Sequence, residues 1–107
     1  MIDPWARTDF LFQEPKIVAF DFDETISDNE MAWLLVMRLL ESKGYHCIVV
    51  TWRSPTQYPE DLQFLVDKGY KVYYTSRQAK QTYMAKQGIK VDIWIDDNPY
   101  AILNDAP

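Results

Sequence analysis

Apolar residues in this chain gather in short runs, and between the runs they recur every three or four positions. The runs at residues 17–20, 46–51, 71–74 and 91–95 are rich in Ile, Val and aromatic side chains and are bounded by polar residues, which predicts four strands. Helices are predicted in the intervals. Ser27-Asp28-Asn29-Glu30 reads as a capping box opening a helix through Trp33, Leu34, Leu35, Leu39 and Leu40 to Lys43, with Gly44 as its stop. Pro59 opens a second helix that carries Leu62, Leu65 and Val66 inward and closes at Lys68-Gly69. A third runs from about Arg77 to Gln87 before Gly88, and Asn98-Pro99 starts a short one over residues 100–103. Alternation of strand and helix predicts an α/β fold, a Rossmann-like parallel sheet with helices on both faces and right-handed crossovers. Residues 1–15 fit this pattern poorly; Trp5, Phe10, Leu11 and Phe12 give them apolar surface to pack on the core, while Pro4 and Pro15 oppose a long helix.

Composition narrows the picture. At 107 residues and 48% hydrophobic content the chain suits a single domain over 1–107, burying about 65% of its unfolded surface. One cysteine excludes an internal disulfide and suits a reducing, cytoplasmic setting. No apolar stretch reaches membrane-spanning length, and no basic-then-apolar leader opens the sequence. The formal charge of −5 argues against a surface that neutralises many nucleic-acid phosphates.

The candidate chemistry sits at strand ends. Residues 17–20 run directly into Asp21-Phe22-Asp23-Glu24-Thr25, and residues 91–95 run into Asp96-Asp97. In parallel sheets reactive groups collect beyond the carboxyl ends of strands, and crowded carboxylates there repel unless a cation or a proton intervenes. Asp21-x-Asp23 at a strand end therefore implies a hard metal ion. The third run, Cys47-Ile48-Val49-Val50-Thr51, ends in a hydroxyl.

Asp21-x-Asp23-x-Thr25 after an apolar strand resembles the first motif of the haloacid dehalogenase superfamily, and Asp96-Asp97 resembles its fourth. The resemblance covers about residues 16–103 and is to the capless, minimal form. It implies an aspartyl-phosphate mechanism with Asp21 as nucleophile and Asp23 as general acid and base. Metal ligation by Asp21, Asp96 and the Asp23 carbonyl is implied, with Asp97 in support. Thr51 would bind the transferring phosphoryl group, and Lys80 would neutralise it and the nucleophile; Arg77 and Lys86 are the other cations near that position. Arg53 joins the expected substrate-binding residues. The implied strand order is 4-1-2-3. Glu24 departs from the family, which usually has Gly or another small residue there, and no clear fifth strand follows Asp97.

The implied function is Mg²⁺-dependent hydrolysis of a phosphate monoester. Without a cap the site would be open, so the phosphorylated substrate could be a nucleotide, a nucleic-acid end, a phosphoprotein or a small metabolite, and an oligomer could cover it. A non-hydrolytic module that binds a phosphorylated partner in the same pocket is the alternative. A receiver-type phosphoacceptor fits less well, because Asp21 and Asp23 share one strand. Cys47 to Arg53 also satisfies the Cys-x5-Arg spacing of cysteine-dependent phosphatases. Its Ile-Val-Val interior favours a strand over a glycine-containing phosphate loop, so Cys47 is expected to be a buried small hydrophobe.

Overall fold

A computed structural model describes residues 14–107; the packing expected of the N-terminal segment falls largely on residues outside these. Four parallel strands, β1 (Ile17–Phe20), β2 (His46–Thr51), β3 (Val72–Tyr74) and β4 (Ile93–Ile95), form one sheet in the order β3-β2-β1-β4, as expected. The helices are α1 (Glu30–Ser42), α2 (Gln63–Asp67), α3 (Lys80–Lys86) and α4 (Tyr100–Leu103), with 3₁₀ turns at Ile26–Asp28 and Pro59–Leu62. The chain moves outward from β1 to β2 to β3, then returns to place β4 on the other side of β1. That reversal puts a topological switch point between β1 and β4, where open α/β sheets bind ligands.

Alternation along the central strands divides the core in two. Val18, Phe20, Cys47 and Val49 face α1 and α2, meeting Met37, Leu62 and Leu65, while Ala19, Ile48 and Val50 face Met84 of α3. The unbroken apolar runs are thus buried on both faces. No helix among the described residues is long and apolar enough to cross a membrane, and no further domain interrupts the strand and helix sequence among them.

Several boundaries differ from the expected ones for local reasons. Asn29, rather than Ser27, caps α1, its side chain accepting from the Ala32 N–H at 3.1 Å. Ser27 is engaged instead in the preceding turn, where its hydroxyl accepts the Glu24 N–H at 2.9 Å. α3 starts three residues late because Ser76 and Arg77 hold left-handed backbone, φ 52° and 71°, and the Arg77 N–H donates to the Trp52 carbonyl at 2.9 Å. β4 begins at Ile93 because the Asp92 carboxylate, at 2.8 Å, takes the Ile17 N–H.

The apolar stripe of α1 is narrower than its composition suggests. Met37 is buried and Trp33, Leu34 and Leu40 pack beside it, whereas Leu35 and Leu39 are 64% and 61% exposed and align with exposed Met31. Val66 also points outward, since α2 is a single short segment that packs Leu65 and part of Phe64, with Leu62 before it, on the core. A helix on a flat sheet buries one stripe at a time.

Replacing Asn29 by Ala removes the cap and leaves its amide without a partner. We expect a loss of about 1 kcal/mol in denaturant unfolding with the fold retained. An unchanged midpoint would show that the cap adds nothing.

Candidate active site

Asp21 follows β1 directly and remains in register with β4, its N–H donating to the Ile95 carbonyl at 2.9 Å. That bond brings the Asp21 and Asp96 strand ends side by side. Lys80, the first residue of α3, is 1% exposed and reaches into the same place. Its ammonium donates to Asp21 Oδ1 at 2.7 Å and to Asp96 Oδ2 at 2.6 Å. The other oxygen of Asp96 accepts the Asn98 N–H at 2.9 Å, and Asp97 Oδ1 accepts from the Thr25 hydroxyl at 3.4 Å. Carboxylate oxygens of Asp21, Asp96 and Asp97 lie within 4.8 Å of one another. A cavity of about 160 Å³ opens over them, bordered also by Asp23, Glu24, Trp52 and Lys80.

The electrostatics follow from this crowding. Burial pushes the Asp21 carboxyl from 3.8 up to about 7; sharing a proton with Asp97 adds to the rise, and the Lys80 charge opposes it. Asp97, the acceptor in that bond, is held below the usual carboxylate range, while its contact with Glu24 raises the Glu24 carboxyl. One cation among these acids leaves a surplus of negative charge.

The expected residues are distributed unevenly. Asp21, Asp96, Asp97 and Lys80 converge. Asp23 borders the cavity, but its carboxylate turns to Arg53, with Nη2 at 2.7 Å from Oδ1 and Nε at 3.0 Å from Oδ2. Thr51 is fully buried at the end of β2, its hydroxyl accepting the Arg53 N–H at 3.2 Å. Lys86 lies exposed in the last turn of α3, and Arg77 lies in the turn before that helix.

Two features of this region had little or no sequence signal. Asp61 and the Tyr58 carbonyl hold Arg53 from the far side, at 2.9 and 3.1 Å, and nothing in the 54–62 stretch marks them. Glu24 sits at φ 61°, a left-handed conformation that favours glycine. The small residue usual at that place in the motif that Asp21 to Thr25 resembles was the available clue.

Cys47 is buried at the opposite end of β2 from Thr51, and its thiol, 3.7 Å from the Met37 carbonyl, donates there. Burial, with Glu41 nearby, pushes it up to about 11. Residues 46–51 form one continuous strand, so the Cys-x5-Arg spacing encloses no phosphate loop.

No family model, curated protein or solved structure matches the chain.

The raised Asp21 value makes a prediction about stability without metal. A carboxyl whose value is higher folded than unfolded contributes fully below its ordinary value near 3.8, and the contribution is lost as pH rises through about 7. In EDTA the melting temperature should therefore fall between about pH 5 and pH 8, and Mg²⁺, which competes with the proton, should restore more at the higher pH. A flat profile in EDTA contradicts this. Cys47→Ser should lose roughly 1–3 kcal/mol of stability through an imperfectly paired hydroxyl. Any catalytic rate, normalised to the folded fraction by circular dichroism, should stay within about threefold of the parent, since Cys47 is buried at the end of β2 away from the cavity and a substitution there acts mainly on folding; a folded, inactive variant would restore the thiol as a candidate nucleophile.

Proposed function

We propose that this protein is a Mg²⁺-dependent phosphohydrolase of the haloacid dehalogenase type, cleaving a phosphate monoester through an aspartyl-phosphate on Asp21. The observation that supports this most directly is the double contact of Lys80 with Asp21 and Asp96 at 2.7 and 2.6 Å. A fixed cation stands where an anionic nucleophile and an anionic phosphate would otherwise repel.

The donor set suits the metal. Asp21, Asp96 and Asp97 offer only hard oxygen atoms, close enough together for one small cation. They would hold Mg²⁺ together with the Asp23 carbonyl, and the ion would supply charge neutralisation at the phosphoryl oxygens. In the first step an Asp21 oxygen bonds to phosphorus as the ester P–O bond breaks, and Asp23 gives a proton to a leaving oxygen that needs one. In the second, water attacks phosphorus, Asp23 takes its proton, and the bond from phosphorus to Asp21 breaks. Lys80 holds Asp21 in place through both. Thr51, at the end of the strand beside β1, is fully buried and outside the cavity lining, and it would reach the phosphoryl group only by turning its hydroxyl from the Arg53 N–H. A cytoplasmic setting belongs to the same reading, supported by a single buried thiol.

The second reading keeps the pocket as a non-hydrolytic binding module for a phosphorylated partner. The tight hold of Arg53 on Asp23 is the observation that suits it.

Turnover separates the two. With an aryl phosphate, hydrolysis should require Mg²⁺ and stop in EDTA, and Asp21→Asn should lower kcat by about 10³ or more while keeping the fold. Activity unaffected by chelation, or retained by Asp21→Asn, would remove the metal or the nucleophile from this reading.

A further inference from the structure

Arg53 is the most heavily bonded cation among the described residues outside the Lys80 cluster. Its guanidinium makes a two-point fork on Asp23, at 2.7 and 3.0 Å. The remaining nitrogen, Nη1, donates to Asp61 Oδ2 at 2.9 Å and to the Tyr58 carbonyl at 3.1 Å. The plane also lies 5.1 Å over the Phe22 ring, and only 14% of the side chain is exposed. Every guanidinium nitrogen is engaged. Four of its five N–H donors are taken, and turning the fork onto a phosphate would mean releasing Asp23, at the loss of charge-assisted bonds about twice as strong as neutral ones.

The anchoring points come from the loop after β2. Tyr58 holds left-handed backbone at φ 48°, which aims its carbonyl at Arg53, and Asp61 follows in the 3₁₀ turn at Pro59–Leu62. Asp61 does not border the cavity and takes no part in the Asp21, Asp96 and Asp97 cluster. Asp23, by contrast, borders the cavity with a half-exposed side chain that has little else to fix it. A mobile carboxylate is a poor proton acceptor, because general-base catalysis depends on placement at hydrogen-bond distance from the water it activates.

We propose that Arg53 is a positioning residue for Asp23, and that Asp61 keeps Arg53 in that role. The inference rests on the phosphohydrolase reading. The loop between β2 and α2 then sets the orientation of the acid and base group, separately from the Lys80 contacts that fix the nucleophile. Arg53 supplies a planar fork, so lysine should not replace it.

The kinetics of 4-nitrophenyl phosphate test this, because nitrophenolate leaves without needing a proton while breakdown of the aspartyl-phosphate still needs a base for water. Arg53→Lys should release about one equivalent of nitrophenolate in a burst, then turn over about tenfold or more slowly, with KM unchanged or lower. Asp61→Ala, a change at a half-exposed side chain, should show the same pattern at about threefold. A phosphate-binding Arg53 gives a raised KM and no burst, and this overturns the proposal. So does a folded pair of variants with parental kcat and KM but lowered melting temperature, the mark of a purely structural loop. A parent protein with no turnover removes the phosphohydrolase reading itself and this inference with it. Parental activity with the wrong variant pattern removes this inference alone.

Discussion

The ammonium of Lys80 is the contact on which the arrangement depends. It ties the ends of β1 and β4 to the start of α3, three elements from distant parts of the chain, through two bonds shorter than 2.8 Å. A lysine at the first position of a helix faces the positive end of the helix dipole, so its placement there is unfavourable unless acids offset it. Asp21 and Asp96 do so, and they in turn would repel each other without it. Buried ion pairs of this kind contribute little net stability over an apolar core, yet losing one member leaves an uncompensated charge. Each of the three residues is therefore held by the presence of the other two.

Surplus acid remains after that pairing. Asp97 and Glu24 share the same small volume, and the protons redistribute accordingly: Asp21 upward, Asp97 downward, Glu24 upward. A pocket with this charge would attract a cation, and the phosphohydrolase reading proposes Mg²⁺ for that place. Arg53 lies outside this group of acids, bonded to Asp23 and Asp61. The two basic residues thus attend to different carboxylates, Lys80 beside Asp21 and Arg53 beside Asp23.

Much of this was legible in the sequence because it rests on periodicity and order. Residues 17–20 and 46–51 suited strands buried on both faces, and carboxylates at the ends of adjacent central strands meet once the sheet forms. Lys80 was legible as a cation at a helix start near those ends. Side-chain direction was less so. Asp23 could have joined the acidic group, and its capture by Arg53 depends on a loop whose geometry is set by left-handed Tyr58 and by Asp61, which carry no pattern. The start of α3 was misplaced for a related reason: Ser76 and Arg77 adopt positive φ without a glycine to mark it. Ser27 and Asn29 are both good caps, and the 3₁₀ turn at Ile26–Asp28 decided between them. The outward stripe of Leu35 and Leu39 was not legible, because a strongly apolar helix does not say which of its stripes meets the sheet.

The sheet carries its six-residue strand inside and its three-residue strands, β3 and β4, at the two margins. Open margins are where one sheet recruits another, and the tendency grows with the length of unpaired backbone on offer. At three residues each, both margins present too few donors and acceptors to template a further strand from a neighbouring molecule. A half-built chain, in which β2 has paired on only one side, exposes twice that length. Among the described residues the long edge of β2 is covered only when β3 pairs with it, so protection from edge-to-edge pairing belongs to the finished order of strands.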